Sequence, residues 1–168
     1  VFESTRFDVL GKRINGKPVA PNLEALVAGG SAIVPAYSHV GFTTDSLKSM
    51  FTGRLQPRKG DASLFTELRK SGYRIGVLSG QPEDFGDISE TVQMRENAQV
   101  YVDAEVLKDK RAFSFAAKGS LLVDEEHLLG AFDREFGTAA QWSEPVFLYM
   151  NFQSAHFPYD HPGVPHRM

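Results

Sequence analysis

The chain has 168 residues, a formal net charge of −3, 42% hydrophobic and 23% charged residues, a balance that suits one globular domain with a sizeable core. No Lys/Arg cluster supplies an electrostatic footprint for nucleic acid, and no apolar run is long enough to cross a bilayer. Zero cysteines exclude disulfides, thiolate metal ligands and a Cys nucleophile.

The chain opens inside an apolar stretch, Val1-Phe2-Glu3-Ser4, which reads as the end of a buried strand finishing on a carboxylate. Ligands collect at the carboxyl ends of strands in open α/β sheets, so Glu3 is placed for chemistry. A start without Met and a stop after a Pro-rich turn at His166-Arg167-Met168 suggest an excerpt of a longer protein. Pro21 to Gly29 predicts a short helix with Leu23, Leu26 and Val27 on one face, Pro at its start and Gly at its stop. Ser31 to Ala36 reads as a strand that Pro35 pushes to an edge or an early end.

Gly41 to Arg54 reads as a tight turn feeding straight into a second short helix. Leu47, Met50 and Phe51 fall at i, i+3 and i+4 and face a core, and Gly53 stands where a left-handed C-cap belongs. Thr43 and Thr44 then lie at a helix N-terminus, where unpaired N–H groups and the helix dipole favour an anion. An ordinary capped helix is the alternative from local pattern alone.

Asp61 to Ser71 predicts an amphipathic helix built on Leu64, Phe65 and Leu68, and Tyr73 to Gly80 the clearest strand of the first half; helix, Gly, strand is half of a βαβ unit. Gln81 to Lys118 is the least patterned region, with a short strand over Asn97–Val102. Val123 to Phe136 predicts a helix with Asp124, Glu125 and Glu126 in its first turn and Leu128, Leu129, Phe132 and Phe136 on its apolar face. Pro145 to Asn151 is a nearly continuous apolar strand, the texture of a parallel sheet covered on both faces. His156 follows just past its carboxyl end. His39, His127 and His166 have no supporting context and are assigned to the surface.

Four segments together resemble the sulfatase-like branch of the alkaline phosphatase superfamily. Phe2-Glu3-Ser4-Thr5-Arg6-Phe7-Asp8 is similar to that family's first metal-ligand strand, and Pro21-Asn22-Leu23-Glu24-Ala25-Leu26 to its P-N-L-D-x-L helix. Thr43-Thr44-Asp45-Ser46 through Thr52-Gly53-Arg54 resembles its nucleophile helix. Phe147 to Asn151 with His156-Phe157-Pro158-Tyr159 resembles its strand and H-x-P-Y segment.

The resemblance implies a three-layer α/β/α sandwich with a mainly parallel central sheet, of which residues 1–168 are the N-terminal portion of the catalytic domain. It implies a divalent metal (Mn, Mg, Zn or Ca) with Glu3 and Thr43 as ligands, Thr43 as nucleophile with Thr44 as the alternative, and His156 on the anionic group of an ester substrate. Position 43 holds Thr, position 45 Asp and position 47 Leu, where formylglycine sulfatases carry Cys or Ser, Pro and Arg. Thr-Thr-Asp-Ser is closer to the lipoteichoic-acid-synthase-like phosphoglycerol transferases, and phosphoethanolamine transferases also use Thr. That kinship implies an anionic lipid head group or small phosphate or sulfate ester as substrate, and an extracytoplasmic domain on a membrane-anchored parent. A plain sulfatase and a non-catalytic α/β binding domain are the alternatives. The family's remaining Asp-His ligand pair is expected beyond Met168, because Asp160-His161 stands in Tyr-Asp-His-Pro, with no apolar strand before it and no Gly after it.

Overall fold

Alternation of side chains along two apolar strands sets the layers of the molecule. The computed structural model describes residues 1–33, 36–110 and 123–157. In chain order these hold a small antiparallel ribbon, β1 (Arg13–Ile14) with β2 (Lys17–Pro18), then α1 (Pro21–Ala28), α2 (Thr43–Thr52), α3 (Leu64–Lys70), β3 (Arg74–Ser79), α4 (Ile88–Val92), α5 (Met94–Asn97), β4 (Val100–Val102), α6 (Glu125–Phe136) and β5 (Val146–Asn151). The main sheet has the order β4-β3-β5 and both pairings are parallel, with Gly76 opposite Val100 and Leu148.

On one face Ile75 and Val77 of β3 and Tyr149 of β5 pack with Leu47 and Phe51 of α2 and Phe65 of α3. On the other, Leu78 packs with Val100 and with Ala131 and Phe136 of α6. Helices therefore cover both faces of a parallel sheet, the expected α/β layering, and the strands are mostly apolar because both faces are covered. Gly76 admits this packing: a Cβ there would come within 2.5 Å of the Phe136 ring.

Phe65 is fully buried and meets three rings, Phe51 at 4.8 Å, Phe147 at 5.7 Å and Tyr149 at 6.4 Å between centroids. Its helix starts at Leu64, later than the pattern from Asp61 suggests, because Ser63 makes a capping box with Thr66: the two side chains satisfy N–H groups that the first turn leaves open. Gly53 ends α2 in the left-handed conformation at φ 66°, as its position in the sequence predicts.

Other expectations fare differently. Residues 31–33 and 36 lie outside any strand, so the described part of Ser31–Ala36 is not the edge strand expected; Val34 and Pro35 lie outside the described residues. The α1 helix forms, yet Leu26 is 71% exposed and no residue of α1 is buried. Met50 and Leu129 are likewise exposed, because the cores that take Leu47, Phe51, Leu128 and Phe136 occupy a narrower stripe than the full apolar face. Among the described residues no helix is long and apolar enough to cross a membrane.

Candidate active site

Residues 1–3 run beside the end of β5. Phe2 forms an isolated parallel bridge with Phe152, their rings stack at 5.5 Å, and the Glu3 N–H donates to the Phe152 carbonyl at 2.9 Å. Glu3 thus lies at the carboxyl end of a sheet pairing, but that pairing is a single bridge and Val1 and Phe2 are exposed, so Val1–Ser4 is not the end of a buried strand that the sequence suggests.

The Thr43 hydroxyl donates to Glu3 Oε1 at 2.7 Å. Thr43 is the first residue of α2; Phe42 precedes it in extended conformation and supplies no side-chain cap. The N-cap side chain therefore takes none of the first-turn N–H groups, and the positive end of the helix lies beside the hydroxyl. Leu47 and Phe51, about one and two turns further on and both buried, clamp the helix to the core and thereby fix the height of Thr43. A cleft of about 410 Å³ opens over the pair, with Ser4, Ser38, Phe42 and Ser46 also in its wall.

His156 stands five residues past the end of β5. Its N–H donates to the Gln153 carbonyl at 2.8 Å, and Nδ1 lies 2.8 Å from the Phe157 carbonyl. A carbonyl only accepts, so Nδ1 carries the proton and Nε2 is the acceptor of the neutral ring. Among the described residues no hydrogen bond joins His156 to Glu3 or Thr43. The structure therefore brings Glu3 and Thr43 together and leaves His156 past the same end of β5 with no hydrogen bond to them among the described residues. Asp160, His161 and His166, like Pro158 and Tyr159 of the H-x-P-Y segment, lie outside the described residues. His39 is exposed and lies 3.1 Å from the Ser49 hydroxyl, and Asp124 caps α6 through the Glu126 N–H, an ordinary helix-end charge.

Behind the cleft lies a polar cluster that sequence pattern does not reveal. Glu83, fully buried, accepts hydrogen bonds from the Ser79 hydroxyl at 2.5 Å, the Tyr149 hydroxyl at 3.2 Å and Asn151 Nδ2 at 3.4 Å. Burial pushes its carboxyl up to about 7, with those donors pulling it part of the way back. Burial also holds the Tyr149 hydroxyl well above its ordinary value, and the negative charges of Glu83 and Glu3 add to this. Position was the available signal: Glu83 lies just beyond the carboxyl end of β3, the same kind of place that singled out Glu3 and His156.

A Sulfatase family model matches residues 1–167. The chain belongs to the sulfatase family. Comparison with curated proteins finds no match. Sulfatase-family membership agrees with the α/β layering and carries a general activity, hydrolysis of sulfate- or phosphate-type esters, with a divalent metal as the family's usual cofactor. Glu3 and Thr43 offer that metal two hard oxygen donors side by side, the chemistry that divalent cations of the Mg, Mn or Ca kind accept. Among the described residues no group of three or more His, Asp or Glu side chains is gathered to hold a metal, so the pair fits as part of a ligand set.

Proposed function

We propose that this sulfatase-family domain cleaves or transfers phosphate esters, with Thr43 as nucleophile, Glu3 and Thr43 as metal ligands, and His156 on the substrate's anionic group. The observation that carries the proposal is the 2.7 Å hydrogen bond between Thr43 Oγ1 and Glu3, made at an uncapped helix N-terminus. A carboxylate, an activatable hydroxyl and open N–H groups then share one cleft, the parts a covalent transfer needs.

Thr43 Oγ1 attacks phosphorus, the P–O bond to the leaving alcohol breaks, and the phosphoryl group rests on Thr43 until water or an acceptor alcohol takes it. The hydroxyl proton faces Glu3 in the resting arrangement and passes to its carboxylate as the new P–O bond forms, while the leaving alkoxide takes a proton from solvent. The open N–H groups of α2 lie on the side where anionic oxygen gathers. Neutral His156 keeps Nδ1–H on the Phe157 carbonyl and presents Nε2; protonated, it donates to an anionic oxygen from Nε2. When bound, a divalent cation supplies charge neutralisation and a lower hydroxyl pKa.

Leu47 and Asp45 stand where formylglycine sulfatases have Arg and Pro, which favours phosphate over sulfate and a transferase of the phosphoglycerol or phosphoethanolamine kind. The same kinship supports an anionic lipid head group as substrate and a place outside the cytoplasm on a membrane-anchored parent, with residues 1–168 as the N-terminal part of the catalytic domain. The test is a substrate panel on the full-length protein, bis-p-nitrophenyl phosphate against p-nitrophenyl sulfate, with Mn, Mg, Zn or Ca added singly. Faster release from the phosphodiester supports the proposal; release from the sulfate ester alone rejects it in favour of a sulfatase.

A further inference from the structure

Glu83 has no part in the chemistry above, yet its surroundings tie it to the helix that carries Thr43. Its backbone is pinned at both groups: the N–H donates to Asp103 Oδ2 at 3.2 Å, and the carbonyl accepts from the Ser89 N–H at 2.8 Å. The turn closed by that second bond presses on α2. Gly86, at φ 59° within it, lies so close to Thr44 that a Cβ would come 2.4 Å from the Thr44 methyl group. A second route runs through Tyr149, whose hydroxyl donates to Glu83 and whose ring meets Phe51 of α2 edge-on at 5.2 Å.

A carboxyl group is an expensive way to fill this space. Removing a charge from water is costly unless several donors compensate it, and besides Ser79, Tyr149 and Asn151 the Gln81 side chain donates to both carboxylate oxygens at 3.4 Å. The cluster also contains a mismatch: Asn151 Oδ1 is buried with no hydrogen-bond partner among the described residues.

We propose that Glu83 is a positioning residue for the ester chemistry, holding the first turn of α2 through the Gly86–Thr44 and Tyr149–Phe51 contacts and so setting Thr43 Oγ1 against Glu3. The catalytic purpose rests on the assignment of Thr43 as nucleophile; the mechanical coupling does not. The titratable and charged groups around the cluster are Tyr149 from β5, the buried Asp103 and Tyr101 from β4 and the loop after it, and Arg95 of α5, which lies 3.7 Å from Asp103; Glu3 acts on Tyr149. With burial raising Glu83 to about 7, its hold on Tyr149 and Asn151 changes across neutral pH.

The experiment follows the Thr43 and Thr44 backbone amides by ¹⁵N NMR from about pH 5 to 9, together with the Glu83 carboxyl carbon, in the wild-type chain and in Glu83→Gln. Both Thr amides are expected to shift with the same midpoint as the Glu83 carboxyl and to lose that inflection in Glu83→Gln, with the exposed Leu26 amide flat in both. In turnover assays Glu83→Gln is expected to lower kcat about tenfold with KM within about twofold, and to remove the neutral inflection from the pH–rate profile. Thr amides that stay flat while Glu83 titrates, or that keep their inflection in Glu83→Gln, overturn the proposal. Should Glu83→Gln fail to fold, Tyr149→Phe takes its place: a smaller Thr43 and Thr44 inflection supports the coupling and an unchanged one rejects it. A wild-type protein inert towards every ester, with the amide coupling intact, rejects the Thr43 assignment instead.

Discussion

Thr43 and Glu3 meet across 40 residues of chain, hydroxyl to carboxylate, at 2.7 Å. One comes from the first turn of a helix clamped into the core and the other from a segment that pairs with the end of β5. Neither element alone places a hydroxyl beside a carboxylate; the fold does so by bringing a helix start and the end of a sheet pairing to the same rim.

Replacing the hydroxyl is the most direct challenge to that pair. Thr43→Ala should lower phosphodiester turnover about a thousandfold or more, with an unchanged circular dichroism spectrum because Thr43 is only half-buried. Thr43→Ser should retain measurable turnover. Unimpaired turnover in Thr43→Ala would reject Thr43 as the nucleophile.

The carboxylate has a different signature. Glu3→Gln keeps an acceptor for the Thr43 hydroxyl but loses the negative charge, so the full-length protein should need about 10–100-fold more divalent metal for half-maximal activity. A titration of activity against metal concentration measures this. An unaltered curve would remove Glu3 from the ligand set.

Gly86→Ala probes the contact behind Thr44. It places a side chain at φ 59° and 2.4 Å from the Thr44 methyl group, two faults that together should cost about 1–3 kcal/mol in urea denaturation. Turnover should fall as well, since the displaced neighbour adjoins Thr43.

Glu83 gives the stability a pH dependence of predictable sign. Its carboxyl rises from 4.5 unfolded to about 7 folded, so between those values the folded chain binds the proton more tightly. Its contribution is fully present below pH 4.5 and is lost as pH rises towards about 7, a loss of order 3 kcal/mol. Denaturant midpoints should therefore fall from pH 5 to pH 8 in wild type, and Glu83→Gln should flatten that decline.

Phe65→Ala separates packing from chemistry. It empties a fully buried site among three rings, at a cost of about 3–5 kcal/mol by thermal or urea unfolding. Any activity that survives should show an unchanged metal requirement, because Phe65 touches neither Glu3 nor Thr43.

Much of this architecture is legible in the sequence because it depends on period and punctuation. The β3 and β5 strands announce themselves as apolar runs, α2 and α6 as helical stripes, and Gly53 as a stop. Glu3 and Thr43 follow from position, one past a strand and one at a helix start. What escapes is set by contacts distant in sequence. The exposed Leu26 face of α1 and the absence of strand at residues 31–33 depend on where the layers end, which no local pattern encodes. Glu83 is hidden for a related reason: a carboxylate in an unpatterned loop looks solvated, and only the approach of Tyr149, 66 residues away, shows that it is dry.

The single bridge between Phe2 and Phe152 gives the two halves of the site unequal permanence. Thr43 shares the fate of α2 and its core, and leaves its place only when that core opens. Glu3 is tied to the sheet by that rung, by the Val1 N–H on the Met150 carbonyl at 2.7 Å and by a stacked ring pair, so a local opening of these few contacts disconnects it while the rest of the domain stays folded. Hydrogen exchange should accordingly find the Glu3 amide unprotected long before the amides of β3. Whatever steadies that rung, a bound cation included, acts first on whether the acid is present at all.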